Sequence, residues 1–141
     1  MSATDDVLAA FRPTVVPLNA FTDLGAGLSG MPGTPLLVGR GTMIAPAPVA
    51  LNLSGALESS VAALVIGLAE LGVPFKGGTM VPQVDVLFIG LPLDSAGELV
   101  VSAPWPAGLP SGFSSWYQFW VTDPAGPLGF AASNGLAGTT P

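Results

Sequence analysis

The sharpest pattern along this chain is an alternation of period two, broken at short intervals by glycine and proline. Val49-Ala50-Leu51-Asn52-Leu53-Ser54 is its clearest instance and predicts a strand with Val49, Leu51 and Leu53 on the buried face. Residues 36–44 predict an earlier strand, with Gly39 and Gly41 marking a bulge or a close backbone approach. Residues 84–91 read as another, apolar on both faces after Asp85. Asp94-Ser95-Ala96-Gly97 carries the small polar residues of a hairpin turn and predicts that 84–91 pairs antiparallel with 98–103. Residues 115–122 alternate again, with Tyr117, Phe119 and Val121 on one face and Trp116, Gln118 and Trp120 on the other. Asp123-Pro124-Ala125-Gly126 then turns the chain into a last strand near 128–136.

One stretch fits two periods. Leu57, Val61, Leu64, Leu68 and Leu71 recur at the spacing of an amphipathic helix, yet Gly67 interrupts the run and 61–68 is a continuous apolar stretch of strand length. The strand is the preferred reading, and the helix is its alternative. Residues 23–35 read as a glycine-rich loop, and Phe75-Lys76-Gly77-Gly78-Thr79 as a turn. About seven short strands with frequent turn signals predict an all-β domain, an antiparallel β-sandwich, over residues 21–141.

Residues 1–20 are different in kind. Pro13 and Pro17 bracket Thr14-Val15-Val16, and proline is tolerated at sheet edges but not at their centres, so 11–18 predict an extended arm. Such an arm would act as a donor strand on a neighbouring subunit's open sheet edge, with Phe11, Val15, Val16 and Leu18 as its assembly residues. The alternative is an unstructured leader.

Composition sharpens this picture. Glycine (19) and proline (15) are abundant, but half of the 141 residues are hydrophobic, which favours turns between strands over disorder. Charged residues make up only 9%, against roughly 25% in an ordinary soluble domain. A surface this poor in charge is expected to be covered in part by a partner, most simply another copy in a homo-oligomer or polymer. A monomer faced with Ser, Thr, Gly, Pro and Ala is the alternative. The net charge of −6, with only Arg12, Arg40 and Lys76 positive, excludes nucleic acid as a natural partner.

With no His and no Cys, the chain has no imidazole base, thiol nucleophile, disulfide or zinc–sulfur site. Carboxylate-only chemistry would need a pair, and Asp94 and Asp123 lie in turn signatures while Glu58, Glu70, Asp85 and Glu98 show no pairing pattern. The expectation is therefore a protein that is not an enzyme and needs no cofactor. Calcium would be held by Asp23, Asp85, Asp94 or Asp123 only if their loops converged, and no loop motif supports it. The N-terminal Met1-Ser2-Ala3-Thr4-Asp5-Asp6 has neither the basic nor the apolar region of a secretory signal, so export would need prior processing or another route. The longest uncharged apolar run, 59–69, is well short of the ~20 residues of a membrane span, so no transmembrane segment is expected.

Several short pieces follow one another in order: Thr22-Asp23-Leu24-Gly25, Gly27-Leu28-Ser29-Gly30, Pro74-Phe75-Lys76-Gly77-Gly78, Val81-Pro82 and Asp94-Ser95-Ala96-Gly97. Trp105-Pro106-Ala107-Gly108-Leu109-Pro110-Ser111-Gly112, Gln118-Phe119-Trp120, Asp123-Pro124 and Ala132-Ser133-Asn134 follow. Together they resemble the β-rich domain found, usually at the C-terminus, in large secreted and surface proteins of planctomycetes and some deltaproteobacteria. The resemblance covers residues from about 21 onward and implies export and a non-catalytic role. That domain usually trails a larger protein, whereas here it follows a short arm, which would suit a subunit of a surface fibre or layer.

Two further motifs call for a reading. Gly25-Ala26-Gly27-Leu28-Ser29-Gly30 is literally a G-x-G-x-x-G string, but no strand is expected before it, and Pro32 and Pro35 forbid a useful helix after it. It reads as a turning loop. Asn52-Leu53-Ser54 matches the glycosylation pattern inside a predicted strand and reads as accidental. Among the aromatic residues Trp105, Trp116, Tyr117, Phe119 and Trp120, the alternation leaves Trp116 and Trp120 as an exposed pair able to stack on sugar rings. The leading expectation is thus an extracellular or cell-surface structural subunit that self-assembles into a filament, layer or matrix. The alternative is a monomeric carbohydrate-binding or adhesive module with a polysaccharide partner.

Overall fold

The structure, a computed structural model, describes residues 20–141. The expected arm residues Phe11, Val15, Val16 and Leu18 lie outside the described residues. Eleven strands follow one another: β1 Phe21–Gly25, β2 Leu36–Arg40, β3 Pro48–Ser54, β4 Val61–Gly67, β5 Glu70–Phe75, β6 Gly78–Pro82, β7 Val86–Pro92, β8 Leu99–Pro104, β9 Ser114–Thr122, β10 Phe130–Ala132 and β11 Gly135–Thr139. Every pairing is antiparallel. Four prolines stand at strand ends, Pro48 opening β3 and Pro82, Pro92 and Pro104 closing β6, β7 and β8, where a missing N–H disturbs the ladder least, and Pro74 is the penultimate residue of β5.

Three layers result. A six-stranded sheet runs β1-β11-β9-β4-β7, with β10 also on β9. A three-stranded sheet β2-β3-β8 covers one of its faces, and the β5-β6 hairpin lies against the other. The main core fills the space between the two sheets: Leu37, Leu51 and Leu53 meet Leu64, Phe119, Val121 and Leu136. A smaller core of Val65, Met80, Trp120 and Ala132 lies under the hairpin.

The all-β sandwich is as the alternation predicts, and Leu51 and Leu53 are buried on β3 as expected. Residues 61–67 form a strand, not a helix. Leu64 and Ala62 face the main core and Val65 faces the hairpin, while Val61, Leu68 and Leu71 are exposed, so the helix-spaced residues share no face. Strands are more numerous than expected. β1 overlaps the start of the loop expected at 23–35 and runs into the glycine string, where the sequence predicts no strand, and β5 and β6 flank the turn at 76–77. The last strand is divided in two by Ser133 and Asn134.

The predicted pairing of 84–91 with 98–103 is not formed. The turn itself is present, with Asp94 Oδ1 accepting from the N–H of Ala96 and of Glu98 at 2.9 Å each. However, β7 pairs with β4 in the large sheet and β8 with β3 in the small one, so the turn carries the chain from one layer to the other. A turn signature fixes a local reversal; which neighbour each strand finds is decided by burial of its faces.

Candidate interaction surface

β9 is buried on both faces, and polar side chains hold it there. Tyr117, Phe119 and Val121 point into the main core, as the alternation requires. On the opposite face Gln118 is fully buried and uses its whole amide. Its Oε1 accepts from Val81 N–H (3.0 Å) and from the Trp120 indole N–H (3.1 Å), and its Nε2 donates to the carbonyls of Thr79 (3.0 Å) and Ser133 (3.1 Å). One side chain thus ties β9 to the hairpin and to the break between β10 and β11.

That break is a second tie. Ser133 Oγ accepts from Phe119 N–H and donates to the Asn134 carbonyl. Asn134 reaches the small sheet, its Oδ1 accepting from Leu37 N–H at 2.7 Å and its Nδ2 donating to the Leu37 carbonyl and to Asp23.

The expected glycan-stacking pair is accordingly not an exposed pair. Trp120 is 3% exposed, its ring meeting Phe75 edge-on at 5.1 Å, and Trp116 is half-buried. The face reads as outward in sequence because the hairpin that covers it looks like a bare turn.

The four aspartates weighed as calcium ligands are spread through the fold and occupied with backbone amides. Asp23 accepts from Gly25, Asp94 from Ala96 and Glu98, and buried Asp123 from Met31 and Ala125. Asp85 accepts from Leu68 N–H and from the Gln83 amide; those two bonds, the backbone one foremost, hold its pKa below the ordinary carboxylate value. Among the described residues no three acidic side chains gather as a metal site would require. The glycine string has a packing explanation: a Cβ on Gly30 would lie 2.0 Å from the Asp123 carboxylate, so the loop needs glycine to seat beside it. Asn52 of the glycosylation pattern is half-buried in the middle of β3.

The feature that stands apart is β7. Among the described residues it pairs with β4 alone and forms one edge of the large sheet. Its sequence Val86-Leu87-Phe88-Ile89-Gly90-Leu91-Pro92 has no charge, and Ile89 is 74% exposed with Val86, Leu87 and Phe88 exposed beside it. Isolated monomers usually protect such edges with lysine, a bulge or a covering segment. Here the protection is confined to one end, where Gly90 (φ 71°) sits at a register shift and Pro92 closes the strand.

Apolar clefts flank β7 on both sides. Leu87 and Ile89 border one of ≈ 460 Å³, walled by Leu71, Val73 and Phe75 of the hairpin. Phe88 borders another of ≈ 500 Å³ that opens between the two sheets, with Phe21, Val101, Trp105, Phe113 and Tyr117 around it. The Trp105 indole N–H is buried without a hydrogen-bond partner. The two sheets are joined at the β1–β2 side, where Ala20 N–H bonds the Gly41 carbonyl, while β7 and β8 are not paired. No helix among the described residues is long and apolar enough to cross a membrane.

Compared with models of known protein families, with curated proteins and with solved structures, the chain matches none.

Proposed function

We propose that this chain is a non-catalytic structural subunit that assembles with copies of itself into a filament, layer or surface matrix. One observation carries the reading: an uncharged strand of seven residues, whose outer edge has no partner among the described residues, lies exposed between two apolar clefts. Apolar area is worth roughly 25 cal/mol per Å² when removed from water, and an open strand edge adds a row of backbone donors and acceptors that seek partners. The scarcity of charged side chains supports the same reading, because few ionic groups have to be stripped of water where copies meet. An extracellular or surface location rests on the resemblance of residues 21–141 to the β-rich domain of exported proteins. Sedimentation velocity over a concentration series, with negative-stain microscopy of the heaviest species, tests the reading. Concentration-dependent polymers are expected, and a single sedimenting monomer at every concentration would reject it.

A further inference from the structure

We propose that the β7 edge is the acceptor for residues 11–18 of a second copy, which add to the large sheet as its next strand. This rests on the self-assembly reading and names the contact that would produce it.

The acceptor side is described above: Val86, Leu87, Phe88 and Ile89 offer a short pairable stretch before Gly90 disturbs the edge. Their side chains alternate between the two clefts, Phe88 on the sandwich side and Leu87 and Ile89 on the hairpin side. An incoming strand therefore needs apolar residues on both of its faces. Residues 11–18 supply them, Phe11 and Val15 at odd positions and Val16 and Leu18 at even ones.

The prolines fit the same role. In a strand, alternate residues direct their backbone N–H to opposite edges, so Pro13 and Pro17 share one edge with Val15. Arg12, Thr14, Val16 and Leu18 keep their N–H groups on the other. Such a segment has one edge able to bond β7 and one edge blunted against further pairing. The added strand would therefore end the sheet it joins.

Geometry selects a second copy over the same chain. Residue 20 leads into β1, at the opposite edge from β7, and the position beyond β7 is five strand spacings away in the order β1-β11-β9-β4-β7. At about 4.8 Å per spacing that is about 24 Å, or roughly seven extended residues even along a straight line. Within one chain Val15, Val16 and Leu18 would be used up in the crossing. Between chains they are available, and because donor and acceptor sit at opposite edges the contact is heterologous and repeats from copy to copy, giving a ring or an open filament according to the rotation between neighbours.

Two variants test the contact. Deleting residues 1–18 removes the donor and leaves Ala20 with its backbone bonds; Leu87→Lys with Ile89→Lys spoils the acceptor at two exposed positions. Each alone is expected to sediment as a monomer, and an equimolar mixture to give a heterodimer and nothing longer. A synthetic peptide of residues 8–19 is expected to bind the truncated chain one to one and to stop polymerisation of the intact chain, which keeps the test valid should the lysine variant misfold. If the truncated chain still polymerises, or the intact chain polymerises although the peptide does not bind the truncated one, the β7 contact is wrong while self-assembly stands. If the intact chain is monomeric and excludes the peptide that the truncated chain binds, the segment docks within its own chain, and the assembly reading falls too.

Discussion

Gln118 shows how much one buried amide can carry. Its four hydrogen bonds reach two strands and a loop, so Gln118→Leu, close in size, would strand an indole N–H, a backbone N–H and two carbonyls. Each unsatisfied buried group costs about 1–3 kcal/mol, and a loss of about 3 kcal/mol or more in denaturant unfolding is the expected result. Tyr117 makes a second prediction. Burial raises its phenol pKa, the Ser115 hydroxyl at 2.6 Å opposing in part. An unfolded tyrosine ionises near about 10, so this contribution to stability is whole below that pH and is lost as pH climbs toward the higher folded value. Because the chain has a single tyrosine, ultraviolet titration reads it directly, and Tyr117→Phe should flatten the alkaline fall in melting temperature.

At the scale of elements, the hairpin β5–β6 decides the fate of Trp120. If the ring is a core residue beneath the hairpin, Trp120→Ala costs about 3–5 kcal/mol, as large-to-small core changes do, whereas Trp116→Ala costs less. Equal, small losses in calorimetry would instead mean that the hairpin does not cover it. The same hairpin marks the boundary of what was readable in the amino-acid order. Alternation exposed β3 and β9, whose residues face the main core at every second position, while β4 showed as a continuous apolar run because both of its faces are covered. It missed β5, whose six residues are all exposed and include Gly72 and Pro74, and β1, whose five include Asp23 and Gly25. Strands that contribute little to the core carry little pattern. Pairing partners were still less visible: Asp94 announces a reversal, but only the apolar faces of β4 and β3 dictate that β7 and β8 part company there. The interaction surface was half legible, since 84–91 stood out as apolar on both faces while its position at a sheet edge depends on the whole order of strands.

For the molecule as a whole, the scarcity of ionic groups sets how association should respond to its surroundings. Contacts between charged surfaces weaken as salt screens them, but contacts between apolar edges do not, and strongly hydrated salts reinforce them. Polymer mass measured by light scattering is therefore expected to hold or rise from dilute buffer to molar sulfate. A fall would point to ionic contacts. The fold also limits how the protein can be destroyed. Lys76, its ammonium 5.8 Å from the Phe75 ring centre and 5.6 Å from that of Phe130, is one of two basic residues in the described domain; the other, Arg40, is laced into β2 opposite Ala50. Arg12, the third in the chain, is followed by proline, a bond that trypsin-like peptidases leave alone. An enzyme of that kind meets one arginine inside a paired strand and one lysine at the exposed turn between β5 and β6, so the hairpin that covers Trp120 is where such an enzyme would first open the fold.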